Sequence, residues 1–203
     1  MKPEAELLGA AAARATEGAD DAVTRFGRRA VEAGLVDVAF SEIESPVGTL
    51  VVGVTPRGLV AVEFEDDRLE QLLARFAREL SPRVLRSPSA TEAARRELGE
   101  YFEGRRRSFD LRLDRRLMGS FAKDVLTATA RVPYGGVATY GEIAKRIGHP
   151  GSARAVGAAL GSNPIAIVVP CHRVVGAGGK LTGYAGGLQR KEYLLRLEGG
   201  LPF

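Results

Sequence analysis

The first half of the chain carries three short runs in which apolar and polar positions alternate, and turn residues separate these runs. Alternation with a period of two predicts half-buried strands, and short turns between such strands predict an antiparallel meander. The predicted strands are Val36–Ile43, Thr49–Val54 and Leu59–Phe64.

A helical period follows the strands. From Leu69 to Leu80 the large apolar residues fall on one face of a helix, and Ser81–Pro82 ends the pattern. A second helix is predicted over Thr91–Phe102, and a short strand over Phe109–Leu113. We interpret the whole region as a scaffold, because no residue in it suggests chemistry.

The second half of the chain has a mostly helical pattern. A helix that contains Phe121 stops near Val132–Pro133, and a short helix is predicted over Tyr140–Ile147. A glycine-containing link follows, and Ser152 is a suitable N-cap for a helix over Ala153–Gly161. Two short helices joined by such a link are typical of a helix-turn-helix unit, although many helical hairpins are purely structural.

These patterns predict an α+β fold in three segments. Residues 1–35 form a helical or disordered extension, and residues 36–115 form a small antiparallel-sheet domain with helices. Residues 116–203 form a mostly helical domain with a winged-helix-like helix-turn-helix unit.

Charge is divided unevenly between the two halves. Residues 116–203 hold eleven Lys and Arg against four Asp and Glu, whereas residues 1–115 hold eighteen against twenty-one. A basic half joined to an acidic half indicates that the basic half meets a polyanion. A solvated basic face without a partner is the alternative.

The sequence contains no run of eighteen apolar residues, so we expect no membrane span. The N-terminus lacks the apolar segment that is typical of a secretory signal. A single cysteine suits a reducing compartment, which predicts a cytoplasmic location.

That cysteine, Cys171, lies in the run Pro170–Val174 (PCHRV). One thiol cannot form an internal disulfide and makes a poor metal site, but it can be a nucleophile beside an imidazole. The apolar run Ile165–Val169 predicts a buried strand that ends at Pro170, so Cys171 and His172 would lie where the chain leaves the sheet. A small buried cysteine without chemistry is the alternative.

Several motifs appear in order around this cysteine. They are Arg154–Gly157 (RAVG), Asn163–Pro164, Pro170–Val174, Gly183–Gly187 (GYAGG), Lys191, Leu194–Leu195 and Glu198–Gly199. With this spacing, the stretch from about Phe121 to Gly199 resembles the O6-alkylguanine-DNA alkyltransferases, which are the methylated-DNA–protein-cysteine methyltransferases. The resemblance weakens before about Arg116 and is absent before about Val36.

The resemblance implies direct-reversal DNA repair. The partner would be double-stranded DNA that contains O6-alkylguanine, and the base would be flipped out of the duplex. The alkyl group, typically methyl, would pass irreversibly to Cys171, once per molecule, and O4-alkylthymine would be a second substrate. The protein would then be a single-turnover methylated-DNA–[protein]-cysteine S-methyltransferase that is monomeric when free.

The resemblance also implies a DNA-binding surface. The helix Ala153–Gly161 would be a recognition helix in the minor groove, with Arg154 entering the base stack where the target base leaves it. Its small residues permit close approach to the groove, or else tight packing on a neighbouring helix. The expected DNA-binding residues are Arg154, Ala153, Ala155, Gly157, Tyr140 and Asn163.

Displacement at an alkyl carbon needs a soft nucleophile, and a base must deprotonate the thiol at neutral pH. The resemblance implies a relay from Glu198 through His172 and a water to Cys171, while Tyr140 donates to the leaving guanine. On a regular strand the side chains of Cys171 and His172 would point to opposite faces, so a bend or a bridging water is required. Judged without the resemblance, His172 would be a structural histidine, Glu198 a surface carboxylate and Tyr140 a partly buried aromatic.

The remaining motif residues have smaller expected roles. The substrate pocket would be lined by Tyr184, Ala185, Pro170 and Asn163. Some family members carry serine where Ala185 stands, so backbone N–H groups would have to bind O6 here. We expect Arg173 to pair with a buried carboxylate, and Gly176–Gly179 to form a hairpin turn.

No cofactor and no metal are expected, since His149 is the only other histidine and Cys171 is already assigned. Two other functions stay open. The chain could be a non-catalytic protein that binds alkylated DNA, although such relatives replace the cysteine. It could also be a cysteine hydrolase with a Cys–His–Glu triad, which would turn over many times.

Overall fold

The computed structural model describes residue 22, residues 25–66 and residues 68–200. Most of the predicted N-terminal extension, residues 1–35, therefore lies outside the described residues. The part that is described contains a helix, α1, over residues 25–32. Within the described ranges, no helix is long and apolar enough to cross a membrane.

The N-terminal half is built on a four-stranded sheet with the strand order β3-β2-β1-β4. The three predicted strands form the expected antiparallel meander. The sheet is buried on both faces rather than one, since Leu50 and Val52 of β2 face the core shared with the C-terminal half and Val51 between them faces the cluster under α2. A fourth, three-residue strand pairs parallel to β1, so the sheet is mixed rather than purely antiparallel. The strands are β1 Val38–Ile43, β2 Leu50–Thr55, β3 Gly58–Phe64 and β4 Val84–Arg86.

Two helices of this half follow the predicted pattern. Helix α2, Leu69–Glu79, packs Leu72 and Phe76 on the sheet, where Phe76 lies over Gly53. Helix α3, Glu92–Phe102, buries its inner face against the C-terminal half.

The described part of the C-terminal half contains four α-helices, two 3-10 turns and a two-stranded parallel sheet. The helices are α4 Ser120–Thr129, α5 Tyr140–Arg146, α6 Ala153–Gly161 and α7 Leu188–Leu197. The strands are β5 Ala138–Thr139 and β6 Val174–Val175. Helix α5 begins with a capping box in which Thr139 and Glu142 bond each other's backbone N–H groups, and it packs on α6 to form the predicted helix-turn-helix unit.

The predicted strand at Ile165–Val169 is wrong. Ile165 and Ala166 make only isolated bridges, and the chain then turns back so that the Val169 N–H donates to the Ile165 carbonyl over 2.9 Å. Ile167 occupies the left-handed region with a φ of 71°, which a β-branched residue adopts rarely. The run is apolar because it is buried, not because it is part of a ladder.

Two shorter predictions also fail. In Phe109–Leu113 only Leu113 forms a bridge, to Leu59, so no strand is present there. Gly176–Gly179 contains a 3-10 turn instead of a hairpin turn, and the preceding strand β6 pairs in parallel with β5.

The two halves share one hydrophobic core. Val62 of β3 bridges Ile165, and the Tyr101 ring on α3 packs against Tyr134 of the C-terminal half. The sheet edge and α3 therefore lie directly behind the segment that carries Cys171.

Candidate active site

Cys171 begins a 3-10 turn, Cys171–Arg173, directly after Pro170. The turn supplies the bend that the sequence requires, because these residues do not alternate as they would on a strand. The thiol is buried, and the side-chain amide of Asn163 lies 3.2 Å from its sulfur.

Asn163 fixes this part of the chain as well as contacting the thiol. Its amide donates to the carbonyl of Val169 over 3.0 Å, and its own oxygen accepts from the Ile165 N–H over 3.0 Å. The left-handed turn between these two residues and the position of the sulfur therefore depend on one side chain.

His172 and Glu198 lie behind the cysteine. The imidazole is fully buried, and its Nε2 is 3.0 Å from Oε1 of Glu198. Among the described residues, Nδ1 of His172 has no hydrogen-bond partner. The second ring nitrogen is thus available for the thiol proton, while the carboxylate orients the ring.

Glu198 follows the last residue of α7 and is buried, not a surface carboxylate. Arg173 holds it with Nε 2.7 Å from Oε2 and Nη2 2.9 Å from Oε1, which agrees with the prediction that Arg173 pairs with a buried carboxylate. The hydroxyl of Tyr101 donates to Oε1 over 2.8 Å. Burial raises the pKa of Glu198, but the hydrogen bonds and charges of His172 and Arg173 outweigh burial and hold it well below its usual range.

The surroundings favour the neutral forms of both reacting groups at rest. Burial raises the pKa of the Cys171 thiol, while the Asn163 amide and the charge of Lys191 oppose that rise. Burial lowers the pKa of His172, against the pull of Glu198. A transfer of the thiol proton to the imidazole would create a thiolate in these surroundings.

Lys191 is a buried cation close to this pair. Its ammonium donates to the carbonyls of Val174, Thr182 and Gly183 at 2.6, 2.8 and 3.3 Å. Burial lowers its pKa to about 8, although the thiol acts in the opposite direction. The same carbonyls of Thr182 and Gly183 accept from the hydroxyl of Tyr140 at 3.1 and 3.2 Å. The Thr182–Gly183 segment thus connects Lys191 and Tyr140 to the loop that carries Tyr184.

Two cavities meet at Cys171. One, of about 400 Å³, opens beside the helix-turn-helix unit and is lined by Tyr140, Gly157, Leu160, Gly161, Cys171, Gly183, Tyr184 and Ala185. The other, of about 240 Å³, extends from the thiol and Asn163 past Gly186 to Phe64 and Arg75 of the N-terminal half. Cys171 therefore lines two spaces that a ligand could occupy.

The loop Gly183–Gly187 is held by the N-terminal half. A Cβ on Gly186 would lie 2.4 Å from the Phe64 ring, so only glycine fits there. Arg190 stacks on Phe64 at 4.4 Å and bonds Asp66 through both Nη atoms at 2.7 and 2.6 Å. Its Nε donates to the Val47 carbonyl over 2.7 Å, which connects α7 to the sheet domain.

Helix α6 presents a nearly bare outer face. Arg154, Ala155 and Ala158 are exposed, while Val156 and Leu160 are buried against the core. A Cβ on Gly157 would lie 3.6 Å from the Tyr140 ring, and one on Gly161 would meet nothing within 4 Å. A flat surface can approach α6 closely, and Arg154 is the long side chain at its N-terminal end.

Most predicted site residues lie together. Cys171, Asn163, Tyr184 and Ala185 line the cavities, and Tyr140 reaches the first of them. Neither set of lining residues includes Pro170, whose carbonyl instead accepts from the Arg173 N–H over 3.0 Å.

Arg154, Ala153 and Ala155 lie outside the cavities, on the α6 surface that borders them.

Sequence analysis missed the contribution of the N-terminal half. Tyr101, Phe64 and Asp66 all contact the site or its loop, yet each is far from Cys171 in sequence. The one signal in the sequence was that Tyr101 is an aromatic residue within the helix predicted over Thr91–Phe102.

The α+β scaffold places a buried cysteine and a His–Glu pair beside a helix-turn-helix unit, an arrangement that suits a cysteine protein acting on DNA. Two family models match the chain: "6-O-methylguanine DNA methyltransferase, ribonuclease-like domain" over residues 38–115, and the "DNA binding domain" of the same family over residues 120–200. The chain belongs to the 6-O-methylguanine DNA methyltransferase family.

Characterised relatives cover most of the chain. A methylated-DNA–protein-cysteine methyltransferase of Mycolicibacterium paratuberculosis is 45% identical over 162 residues, which is 79% of this chain and 92% of the relative. The protein of the same name from Salmonella typhimurium is 47% identical over 165 residues, covering 79% and 95%.

Solved structures agree with this assignment. The O6-methylguanine methyltransferase of Mycobacterium tuberculosis superposes with a TM-score of 0.70 at 43% identity, covering 80% of this chain and 93% of that one. The structure of the M. tuberculosis protein in complex with DNA has a TM-score of 0.68 at 42% identity, covering 79% and 92%. The fold of this chain is that of a family whose members are seen bound to DNA.

Proposed function

We propose that this protein repairs DNA by direct reversal, and that Cys171 takes the alkyl group from O6-alkylguanine. The observation that supports this most strongly is the thiol itself, which lies between two cavities with His172 and Glu198 directly behind it. Methylated-DNA–protein-cysteine methyltransferase is the name carried by the relatives.

The reaction is a displacement at carbon. His172 accepts the thiol proton, and Glu198 stabilises the imidazolium that results. The sulfur of Cys171 forms a bond to the alkyl carbon, the bond from that carbon to guanine O6 breaks, and the electron pair passes to the guanine. A proton then returns to the guanine, and the products are a thioether and an unmodified base.

Tyr140 has a role in the departure of the guanine. In the free protein its hydroxyl donates to the carbonyls of Thr182 and Gly183. We propose that it turns to the guanine ring when the base occupies the 400 Å³ cavity, which it lines together with Tyr184 and Ala185. A donor aimed at the leaving base offsets the negative charge that develops there.

The protein binds DNA, and we assign this contact to α6. Arg154 would enter the stack vacated by the flipped base, while Ala153, Ala155 and Gly157 would permit close approach to the minor groove. Asn163 would keep the thiol aimed at the cavity from the end of the same helix. O4-alkylthymine, whose reacting oxygen also lies on a ring carbon, is proposed as a second substrate.

Further properties follow from the same account. A thioether is stable, and Cys171 is the only thiol in the sequence, so we propose that each molecule reacts once. We propose that the protein works without a cofactor, as a monomer, in the cytoplasm, where the thiol stays reduced.

Stoichiometry distinguishes this function from its alternatives. A duplex with a radiolabelled methyl group on guanine O6 is incubated in excess with the protein, and protein-bound label is counted. One equivalent of label per protein, followed by no further reaction, supports the proposal. Continued turnover would indicate a hydrolase, and selective binding of the damaged duplex without label transfer would indicate a damage-binding protein.

A further inference from the structure

Among the described residues of the scaffold half, Tyr101 is the one whose side chain donates a hydrogen bond to Glu198. It lies on α3, 97 residues from Glu198 in sequence, and its ring is fully buried among Phe102, Phe109 and Tyr134. A phenylalanine would fill the same space, so packing does not account for the hydroxyl.

The hydroxyl reaches the oxygen that also faces the imidazole. Oε1 of Glu198 accepts from Tyr101 over 2.8 Å and lies 3.0 Å from Nε2 of His172. Arg173 contacts both carboxylate oxygens, at 2.9 and 2.7 Å. Each donor that stabilises the carboxylate makes it less basic, and so weakens its attraction for the proton on His172.

We propose that Tyr101 is a positioning residue that fixes Glu198 and limits how strongly this carboxylate holds the proton of His172. The scaffold half would then set the basicity of the relay in the other half. Burial, and then the charge of Glu198 and the hydrogen bond to it, raise the pKa of Tyr101. The phenol therefore keeps its proton and stays a hydrogen-bond donor around neutral pH.

Other charged and titratable groups also face the His172–Glu198 pair. Those that act on the pair, directly or through Tyr134, are Cys171, Arg173, Lys191, Tyr184, Tyr134 and Arg107. None of these is altered when the Tyr101 hydroxyl is removed. The effect of that one donor can therefore be measured against a constant background.

The test is an NMR titration of the imidazole nitrogens in Tyr101→Phe. The chain has two histidines, so His172 is readily separated from His149. Loss of the hydroxyl is expected to raise the pKa of His172 by about half a unit or more, because the carboxylate becomes more basic. Tyr134→Phe is the matched control, since its hydroxyl donates to the Leu197 carbonyl and not to the carboxylate.

The rate of methyl transfer gives a second readout, which rests on the proposed function. When this rate is measured as a function of pH, it should fall at low pH as His172 takes up a proton. In Tyr101→Phe this fall should occur at higher pH, by the same amount as the pKa of His172 rises in the NMR titration. A shifted titration with no methyl transfer in any variant would support the role of Tyr101 and contradict the proposed function. An unchanged His172 titration, with only a lower melting temperature, would overturn the proposal.

A second variant is expected to shift the pKa of His172 in the opposite direction, so it distinguishes the proposal from a general loss of folding. Replacement of Tyr101 by 3-fluorotyrosine keeps the ring and makes the hydroxyl a stronger donor, because the phenol becomes more acidic. The pKa of His172 should then fall below that of the unmodified protein. A rise, or no change, would contradict the proposal.

Discussion

At the residue scale, the site depends on a carboxylate that is buried and fully bonded. Glu198 receives hydrogen bonds from Tyr101 and Arg173 and orients His172, so three side chains depend on one anion. Removal of the Glu198 carboxylate would leave the buried Arg173 guanidinium without its counter-charge. An unpaired buried charge lowers the free energy of unfolding more than replacement of both charges by apolar side chains would.

We predict that Glu198→Gln lowers the free energy of unfolding by about 3–5 kcal/mol at neutral pH. The pKa of Glu198 is about 2 in the folded state against 4.5 in the unfolded state, so its stabilisation is complete above about 4.5 and is lost as the pH falls towards about 2. The stability of the variant should therefore vary less with pH in this window. Urea unfolding followed by circular dichroism at several pH values measures both effects.

Glu192→Gln is the control for this prediction, because Glu192 forms an exposed pair with Arg196 on the same helix. Its stability should stay within about 0.5 kcal/mol of the parent. Parallel pH dependence in the parent and in Glu198→Gln would contradict the role assigned to this carboxylate.

At the element scale, four of the helices followed from the sequence, whereas α7 and the irregular segments did not. The sequence predicted α2, α3, α5 and α6 to within one or two residues, because apolar spacing and turn residues mark them locally. Ile165–Val169 was mistaken for a strand, since an apolar run without period does not distinguish a ladder from a buried turn.

The residues around Cys171 were predicted from the sequence, but their contacts with the N-terminal half were not. The family resemblance, and not a local pattern, placed Asn163 and Glu198 at the site with Cys171 and His172, and the structure finds them there. The contacts of Tyr101 and of the Phe64–Arg190 pair join distant parts of the chain, and no local pattern encodes such pairings. The three-residue strand β4 was missed because it is too short to show a period.

The exposed face of α6 leads to a prediction about Arg154. Arg154→Ala should slow transfer from a methylated duplex about ten-fold or more, because Arg154 is the side chain proposed to fill the place that the extruded base leaves. Transfer from free O6-benzylguanine should be unchanged, since that base enters the cavity without leaving a duplex. Single-turnover rates with both substrates check this, and equal slowing would place Arg154 in the pocket instead.

At the scale of the whole molecule, side chains of the N-terminal half position the Cys171 site and the Gly183–Gly187 loop of the C-terminal half. Tyr101 bonds the relay, Phe64 limits the loop at Gly186, and Asp66 anchors Arg190. The two halves share a core, so the loop that walls the cavity is positioned by residues from both.

We predict that Arg190→Ala lowers the free energy of unfolding by about 1–3 kcal/mol and slows alkyl transfer, because α7 and the Gly183–Gly187 loop lose their anchor on the sheet. Arg196→Ala, which removes an exposed pair with Glu192 nearly two turns away on the same helix, should cost at most about 0.5 kcal/mol. Chemical denaturation and single-turnover kinetics of the two variants supply the comparison. Equal stability and equal rates would show that the Asp66–Arg190 contact does not position the loop.

The central claim is that Cys171 itself receives the alkyl group, and intact-mass spectrometry tests it most directly. The protein and a Cys171→Ser variant are incubated with a duplex that carries O6-methylguanine. The intact mass of each is then measured, and a second portion of each is digested for peptide mapping. We predict a single gain of about one CH₂ unit on the peptide containing Cys171, and none in the variant. No gain, or a gain that persists in Cys171→Ser, would contradict the account.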